Sequence, residues 1–126
     1  MKESIRTPLG KVRGLGAAKE GAHHFIVQRV SAIALLFLLP WFLISALFAA
    51  RGGYQGAVDF VASPLNAVLA LMTVGASLYH MQIGMQVVIE DYIAKTGTRI
   101  FLLILNIFFA VVLFAAAAFS ILEIAT

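Results

Sequence analysis

Three long stretches of this 126-residue chain contain no Lys, Arg, Asp or Glu: residues 30–50, 62–89 and 100–122. About 20 apolar helical residues cross a hydrocarbon layer roughly 30 Å thick. Hydrophobic residues make up 62% of the chain and charged residues 12%, whereas soluble domains contain about 45–50% and 25%. A soluble domain of this size could not bury so much apolar surface. The sequence therefore predicts an all-α integral membrane protein, a bundle of three transmembrane helices.

The same pattern divides the chain into segments. The spans are expected at residues 30–50, 64–89 and 100–122. They form one membrane anchor domain over residues 30–126. Residues 1–29 precede it as a cytoplasmic basic tail followed by a short interfacial helix over 20–29, and polar connections are expected at 51–63 and 90–99. The first apolar run is long enough to span, so we expect it to serve as an uncleaved insertion signal.

Lys and Arg residues are distributed unevenly between the two sides of the predicted spans. One side carries Lys2, Arg6, Lys11, Arg13, Lys19, Arg29, Lys95 and Arg99. The other side carries Arg51. Because short cytoplasmic segments are enriched in Lys and Arg, the N-terminus is expected in the cytoplasm (or the matrix). The net charge of +3 therefore reflects membrane topology, and no nucleic-acid partner is expected.

Apart from Tyr79, His80 is the only ionisable side chain well inside a predicted span. Ionisable groups at membrane depth are costly and mark functional sites. At about 100° per residue, Ser77 and Gly84 lie on the same side of the helix as His80. Small residues one turn before and after an imidazole leave a shallow groove for a flat group, as haem ligation through a helical histidine requires.

Three interpretations of His80 stay open on the residues alone. It ligates haem iron, it hydrogen-bonds a neighbouring helix, or it transfers protons. The chain has no second deep histidine and no cysteine. A six-coordinate haem would therefore take its other axial ligand from another subunit.

Glu90, Asp91 and Tyr92 close the second span at the cytoplasmic interface. Such residues are common there as an aromatic belt and solvated acids. They also suit a quinone, which needs hydrogen-bond donors near its carbonyl oxygens, water within reach and an apolar slot for its tail. Asp91 lies eleven residues after His80, roughly 16 Å along a helix. An electron could tunnel over this distance from a group at His80 to a quinone bound near Asp91.

A basic cluster of His23, His24 and Arg29 lies on the same side of the membrane. Its members either extend towards the headgroups as positive-inside residues or pair with haem propionates or a quinone carbonyl, for which Arg supplies a fixed fork of donors.

Three further residues inside the spans carry structural expectations. Pro40 removes a backbone hydrogen bond and predicts a kink in the first span. Trp41 is too deep for an interfacial belt and is expected to contact another helix or a ligand. Asn106 is the one strongly polar residue deep in the third span, which predicts an interhelical hydrogen bond.

Two motifs carry a resemblance to a known family. The stretch His80-Met-Gln-Ile-Gly84-Met-Gln-Val-Val-Ile-Glu-Asp91-Tyr92 resembles the signature of the succinate dehydrogenase hydrophobic membrane anchor subunit of respiratory complex II. The lead-in stretch over residues 21–33, with Arg29 followed by small residues, is similar to the same family. The resemblance covers residues 21–93 in motif and the whole chain in topology.

The resemblance implies a place in the respiratory chain and the tricarboxylic acid cycle. Such subunits pair with a cytochrome b556 anchor subunit, hold a haem b between them, and dock the iron–sulfur and flavoprotein subunits on the cytoplasmic face. It implies that His80 is one axial haem ligand, beside Ser77 and Gly84. Succinate chemistry would then lie in other chains, and electrons would pass from the iron–sulfur subunit to ubiquinone.

The resemblance also implies roles at the cytoplasmic end. Tyr92 hydrogen-bonds a ubiquinone carbonyl, Asp91 supports it and the proton path, and Arg29 lies near the haem propionates. His23 or His24 assists there, although the family pattern often has Asp at the position of His24. The expected location is a bacterial inner membrane, with the mitochondrial inner membrane as the alternative.

Two other functions stay open at this point. One is the anchor of a related quinone-linked reductase, of the fumarate reductase type. A formate dehydrogenase type of anchor would supply more than one deep histidine, which this sequence lacks. The other is a non-catalytic three-helix scaffold protein in which His80 only packs.

Overall fold

A computed structural model describes residues 7–9 and 17–126 of the chain. Residues 17–126 form four helices: α1 (Ala17–Ala50), α2 (Gly53–Ala62), α3 (Pro64–Tyr92) and α4 (Thr96–Ala125). This part of the chain contains no β-strand, which confirms the predicted all-α class. Most of the predicted basic tail, residues 1–6 and 10–16, lies outside the described residues.

Three of the helices are long and apolar enough to cross a membrane: Gly21–Ala50 within α1, Pro64–Tyr92 and Thr96–Ala125. Helices α1, α3 and α4 contain 34, 29 and 30 residues. At 1.5 Å per residue they are about 51, 44 and 45 Å long, which exceeds a hydrocarbon layer of roughly 30 Å. The three predicted spans are therefore confirmed, and each helix extends beyond its uncharged run.

Helix α1 joins two segments that were predicted as separate, the interfacial helix and the first span. Residues 20–29 are helical, as expected for the interfacial segment, but they continue into the first span without a break. The helix also continues through Pro40. Membrane helices in general tolerate an internal proline.

The connection expected over residues 51–63 is wrong in one respect, because Gly53–Ala62 forms helix α2. Its apolar residues Ala57, Phe60 and Val61 follow the helical spacing of three and four. They line a cavity of about 200 Å³ together with residues of α1, α3 and α4. The Trp41 ring lies 6.1 Å from the Phe60 ring, centroid to centroid. The predicted contact of Trp41 with another helix is thus made with α2.

Glycines allow α2 to fold back closely on the end of α1. Gly53 begins α2 with a φ of +62°, a left-handed conformation that side chains disfavour. The Gly52 backbone N–H donates to the Ala49 carbonyl at 3.0 Å. A Cβ on Gly56 would overlap the Ala49 carbonyl oxygen. A side chain at Gly56 is therefore incompatible with the observed packing of α2 on α1.

Helix α3 lies between α1 and α4 and contacts both of them, whereas the backbones of α1 and α4 do not approach each other within the described residues. Helix α2 contacts the other three helices at the end away from Tyr92. Small side chains allow α3 its close contacts, since three of its five buried residues are Ala67, Ala70 and Thr73. Many large apolar side chains instead point outwards, as expected for surfaces that meet lipid or other chains.

A polar contact joins α3 to α4. The Asn106 Nδ2 donates to the Gln82 backbone carbonyl at 2.8 Å, and Asn106 is buried. The predicted interhelical hydrogen bond of Asn106 is confirmed, and its acceptor is a carbonyl of the helix that carries His80.

The packing at Gly56 predicts a loss of stability in Gly56→Ala. We expect the free energy of unfolding in detergent to fall by about 1–3 kcal/mol, because the new methyl group forces α2 away from α1. Gly97→Ala is the control, since a Cβ there meets nothing within 4 Å. Equal stability of the two variants, measured by SDS titration followed by circular dichroism, would contradict the close approach.

The Asn106 contact predicts a second, smaller effect. Asn106→Leu should lower the free energy of unfolding by about 1 kcal/mol, the usual size of an interhelical hydrogen bond in a membrane protein. Ser120→Ala is the matched control on α4, because its exposed hydroxyl bonds only the Ala116 carbonyl of its own helix. A Leu variant as stable as the wild type in the same titration would show that the bond contributes nothing.

Candidate functional site

His80 lies in α3, twelve residues before the helix ends at Tyr92, and it faces α1. Its Nδ1 is 2.8 Å from the Ser31 hydroxyl oxygen, across the α1–α3 contact. Ser31 is only 7% exposed. Within the described residues, the other ring nitrogen, Nε2, has no hydrogen-bond partner. The structure thus contains the hydrogen bond to a neighbouring helix that was one interpretation of His80, and it leaves one nitrogen available for a ligand.

Two small residues flank His80 on the surface of α3. Ser77 and Gly84 are both half-buried, one turn before and one turn after His80. A Cβ on Gly84 would lie 3.6 Å from the Gln28 Nε2. The groove expected at Gly84 is therefore bordered by the side chain of Gln28 from α1.

Gln28 is a functional candidate that the sequence did not single out. Its Oε1 is buried and has no hydrogen-bond partner among the described residues. Buried polar atoms nearly always have a partner, so an unpaired acceptor at this level requires an explanation. The available signal in the sequence was weak: Gln28 and Ser31 are two uncharged polar residues, three positions apart, at the start of an apolar run.

Asp91 and Tyr92 are the last two residues of α3. Both are exposed, and Tyr92 is 81% exposed. The neighbouring Glu90 accepts a hydrogen bond from Gln86 at 2.9 Å. Only residues 93–95 separate Tyr92 from α4. Asp91 and Tyr92 thus form an accessible acid–phenol pair at one end of the bundle, on the same helix as His80.

Arg29 points away from His80. It lies two residues before Ser31, about 200° around α1, and is exposed. Its guanidinium carbon is 5.1 Å from the centre of the Phe25 ring on the same helix. The structure of this single chain therefore does not bring Arg29 and His80 together.

His23 and His24 line a small polar cavity of about 130 Å³ between α1 and α3. The other polar side chains on its wall are Tyr79, Gln82 and Gln86. His80 is not among the lining residues. The two N-terminal histidines thus lie beside the helix that carries His80, in a separate cavity.

No three His, Cys, Asp or Glu side chains meet to hold a metal ion in the part of the chain that the structure describes. His80 therefore belongs to no such group there. A single imidazole supplies one axial position of an iron porphyrin but not a complete metal site.

Comparison with known proteins places the chain in a family. The sequence model of the family described as succinate dehydrogenase/fumarate reductase transmembrane subunit matches residues 3–117, which is most of the chain. The chain belongs to this family. The resemblance inferred from the two motifs is confirmed.

The chain is similar to several succinate dehydrogenase hydrophobic membrane anchor subunits. It is 36% identical to that of Rickettsia bellii over 79% of both chains. It is 34% identical to that of Rickettsia conorii, over 92% of this chain and 93% of the relative. For Paracoccus denitrificans the identity is 31%, over 90% and 88%. No solved structure matches the chain.

Membership of the succinate dehydrogenase membrane anchor family makes this chain a subunit of an enzyme complex with an apolar, three-span body. The matched residues include α1, α2 and α3 and most of α4. They therefore include Ser31, His80 and the exposed pair at Asp91 and Tyr92.

Proposed function

We propose that this chain is the membrane anchor subunit of a succinate:ubiquinone oxidoreductase, in which it supplies one axial ligand of a haem b and part of the ubiquinone-reduction site. The observation that carries the proposal is His80, a membrane-depth imidazole with Nδ1 bonded to Ser31 and Nε2 without a partner in the described chain. Membership of the family supports the same reading.

The residues present fit a haem. A helical histidine that ligates haem iron needs one nitrogen free and the other held by a hydrogen bond, and His80 meets both conditions. Ser77 and Gly84 keep the helix surface low on either side of it. Because the uncharged runs of the spans contain no second histidine, the other ligand would come from the cytochrome b556 subunit, which shares the haem.

The haem, when bound, supplies a one-electron carrier beside the path from the iron–sulfur subunit to quinone. This chain orients that group through the His80 ring. Family resemblance makes Arg29 the candidate to pair with propionate carboxylates, for which a guanidinium supplies several donors, and its side chain would have to turn from Phe25 towards the His80 side of α1 to do so. His23 and His24 are the weaker candidates for that role.

The quinone site uses the end of α3. The Tyr92 phenol would donate a hydrogen bond to a carbonyl oxygen of ubiquinone, and the Asp91 carboxylate would exchange protons with cytoplasmic water. Reduction of a quinone to a quinol takes up two electrons and two protons. The exposure of Asp91 and Tyr92 supports this assignment, because both protons come from the aqueous side.

The partners and orientation follow from the same proposal. The iron–sulfur and flavoprotein subunits would dock on the side of the membrane that holds Tyr92, and succinate oxidation would occur in them. The excess of Lys and Arg near residues 1–29 and 93–99 supports a cytoplasmic N-terminus in a bacterial inner membrane. The family includes fumarate reductase subunits, and the working direction would depend on the quinone and the partner subunits.

His80→Ala tests the haem assignment. We expect the haem content of the purified complex, measured as pyridine haemochrome per flavin, to fall at least tenfold, because loss of even a supporting residue lowers metal affinity about 10- to 100-fold. Met81→Ala, at the adjacent exposed position, should keep its haem. A His80→Ala complex that retains a normal Soret band would refute the assignment, and a colourless wild-type protein would favour the scaffold function.

Tyr92→Phe tests the quinone assignment. Loss of the phenol should lower ubiquinone reductase activity about 100-fold, the usual range for a positioned proton donor. Succinate oxidation with a soluble dye as acceptor should not change. Tyr54→Phe is the control, since Tyr54 is equally exposed but lies in α2 at the opposite end. Equal quinone reductase activity in the two variants would exclude Tyr92 from the site.

A further inference from the structure

The hydrogen bond between Ser31 and His80 belongs to a short chain of polar groups. The Ser31 hydroxyl also bonds the Gln28 backbone carbonyl, at 2.9 Å, one turn earlier in α1. The His80 Nδ1 approaches the same oxygen at 2.8 Å from α3. One buried hydroxyl thus connects a backbone carbonyl of one helix with an imidazole of the next.

Counting protons determines the direction of these two bonds. A hydroxyl has one proton and two lone pairs, and a carbonyl oxygen can only accept. The Ser31 hydroxyl therefore donates its hydrogen bond to the Gln28 carbonyl. The Ser31 oxygen is then left to accept a hydrogen bond from His80. Consequently, Nδ1 carries the imidazole proton, and Nε2 of the neutral ring carries the free lone pair.

The opposite arrangement leaves groups unsatisfied. If Ser31 donated to Nδ1, the Ser31 and Gln28 oxygens would stand 2.9 Å apart with no proton between them. Nε2 has no partner among the described residues in either arrangement, so the difference between the two lies in this pair of oxygens. Two oxygens held so close without a proton between them repel each other, and removal from water strengthens the repulsion. The first arrangement is therefore favoured.

We propose that Ser31 is a positioning residue, which holds His80 in the Nδ1–H tautomer, fixes the ring orientation and raises the electron donation of Nε2 to the haem iron. This inference rests on the proposed function, since it concerns the haem that His80 would ligate. Ser31 itself would not touch the haem.

The proposal has an electronic consequence. A hydrogen bond accepted from Nδ1–H raises the basicity of the ligating nitrogen. A more basic axial ligand stabilises ferric over ferrous iron and lowers the midpoint potential. The Ser31 oxygen is a better acceptor because its own proton is engaged by the Gln28 carbonyl, as in other hydrogen-bond chains. Removal of the hydroxyl should therefore raise the haem midpoint potential.

The substitutions that test this differ in the hydroxyl group. Ser31→Ala removes it, Ser31→Cys keeps a similar volume with a weaker acceptor, and Ser31→Thr keeps it on a residue whose Oγ1 can bond the same carbonyl in a helix. Ser45→Ala is the control, at a half-buried serine of α1 fourteen residues further on, which has no part in the proposed site. All are made in the full complex, purified with its native haem.

The measurements are the haem midpoint potential by redox titration, the electron paramagnetic resonance spectrum of the ferric haem, and haem content per flavin. We expect a positive shift of the potential and an altered spectrum in Ser31→Ala, a smaller shift in Ser31→Cys, and wild-type values in Ser31→Thr and Ser45→Ala. Haem affinity in Ser31→Ala should fall about 10- to 100-fold, as for other groups that orient a metal ligand.

The outcomes separate this proposal from the assignment of His80. An unchanged potential and spectrum in Ser31→Ala, with haem still dependent on His80, overturn the role of Ser31 and leave the haem assignment standing. If Ser31→Ala does not assemble, an unchanged potential in Ser31→Cys, or a shifted one in Ser31→Thr, overturns it equally. Full haem retention in His80→Ala would instead refute the proposed function.

Discussion

Hydrocarbon offers no water to a polar group, and this constraint determines where the few polar side chains of the spans lie. Thr73 bonds the Leu69 carbonyl of its own helix at 2.7 Å. Ser31 and Asn106 make contacts between helices. All three donors are buried, whereas large apolar side chains such as Phe37 and Leu47 are about 70% exposed. These three polar groups therefore lie inside the bundle while much of the apolar bulk lies outside, as a lipid environment favours.

One buried polar side-chain atom of the described residues has no hydrogen-bond partner, the Oε1 of Gln28 at the α1–α3 contact. The Nε2 of His80, at the same contact, has no partner among the described residues either. Gly84 brings Gln28 close to α3, one turn from His80. Unpaired polar atoms in a membrane interior cost free energy, so their position indicates where this chain is incomplete. The proposed haem and a neighbouring subunit would meet the chain on the helix that carries His80.

The sequence predicted those features that depend on composition or on spacing within one helix. The three spans and the interhelical bond of Asn106 are of this kind. Helix α2 was missed because its ten residues include Gly53 and Gly56, which are typical of a loop, although Tyr54, Ala57, Val58 and Val61 follow a helical spacing. The pairing of Ser31 with His80 joins residues 49 positions apart. It depends on how α1 is rotated against α3, which no local pattern in a single sequence reveals.

Because the backbones of α1 and α4 do not approach each other within the described residues, α3 has an exposed strip on each side, beyond the part that α2 covers. At about 100° per residue, Met81, Val88 and Tyr92 lie on one strip, and Met72 and Tyr79 lie on the other. All five side chains are more than a third exposed. A single helix can thus meet two different neighbours at the same time, and a change on one strip leaves the opposite surface intact. The helix thus has two separate exposed faces, and one of them carries a phenol at its end.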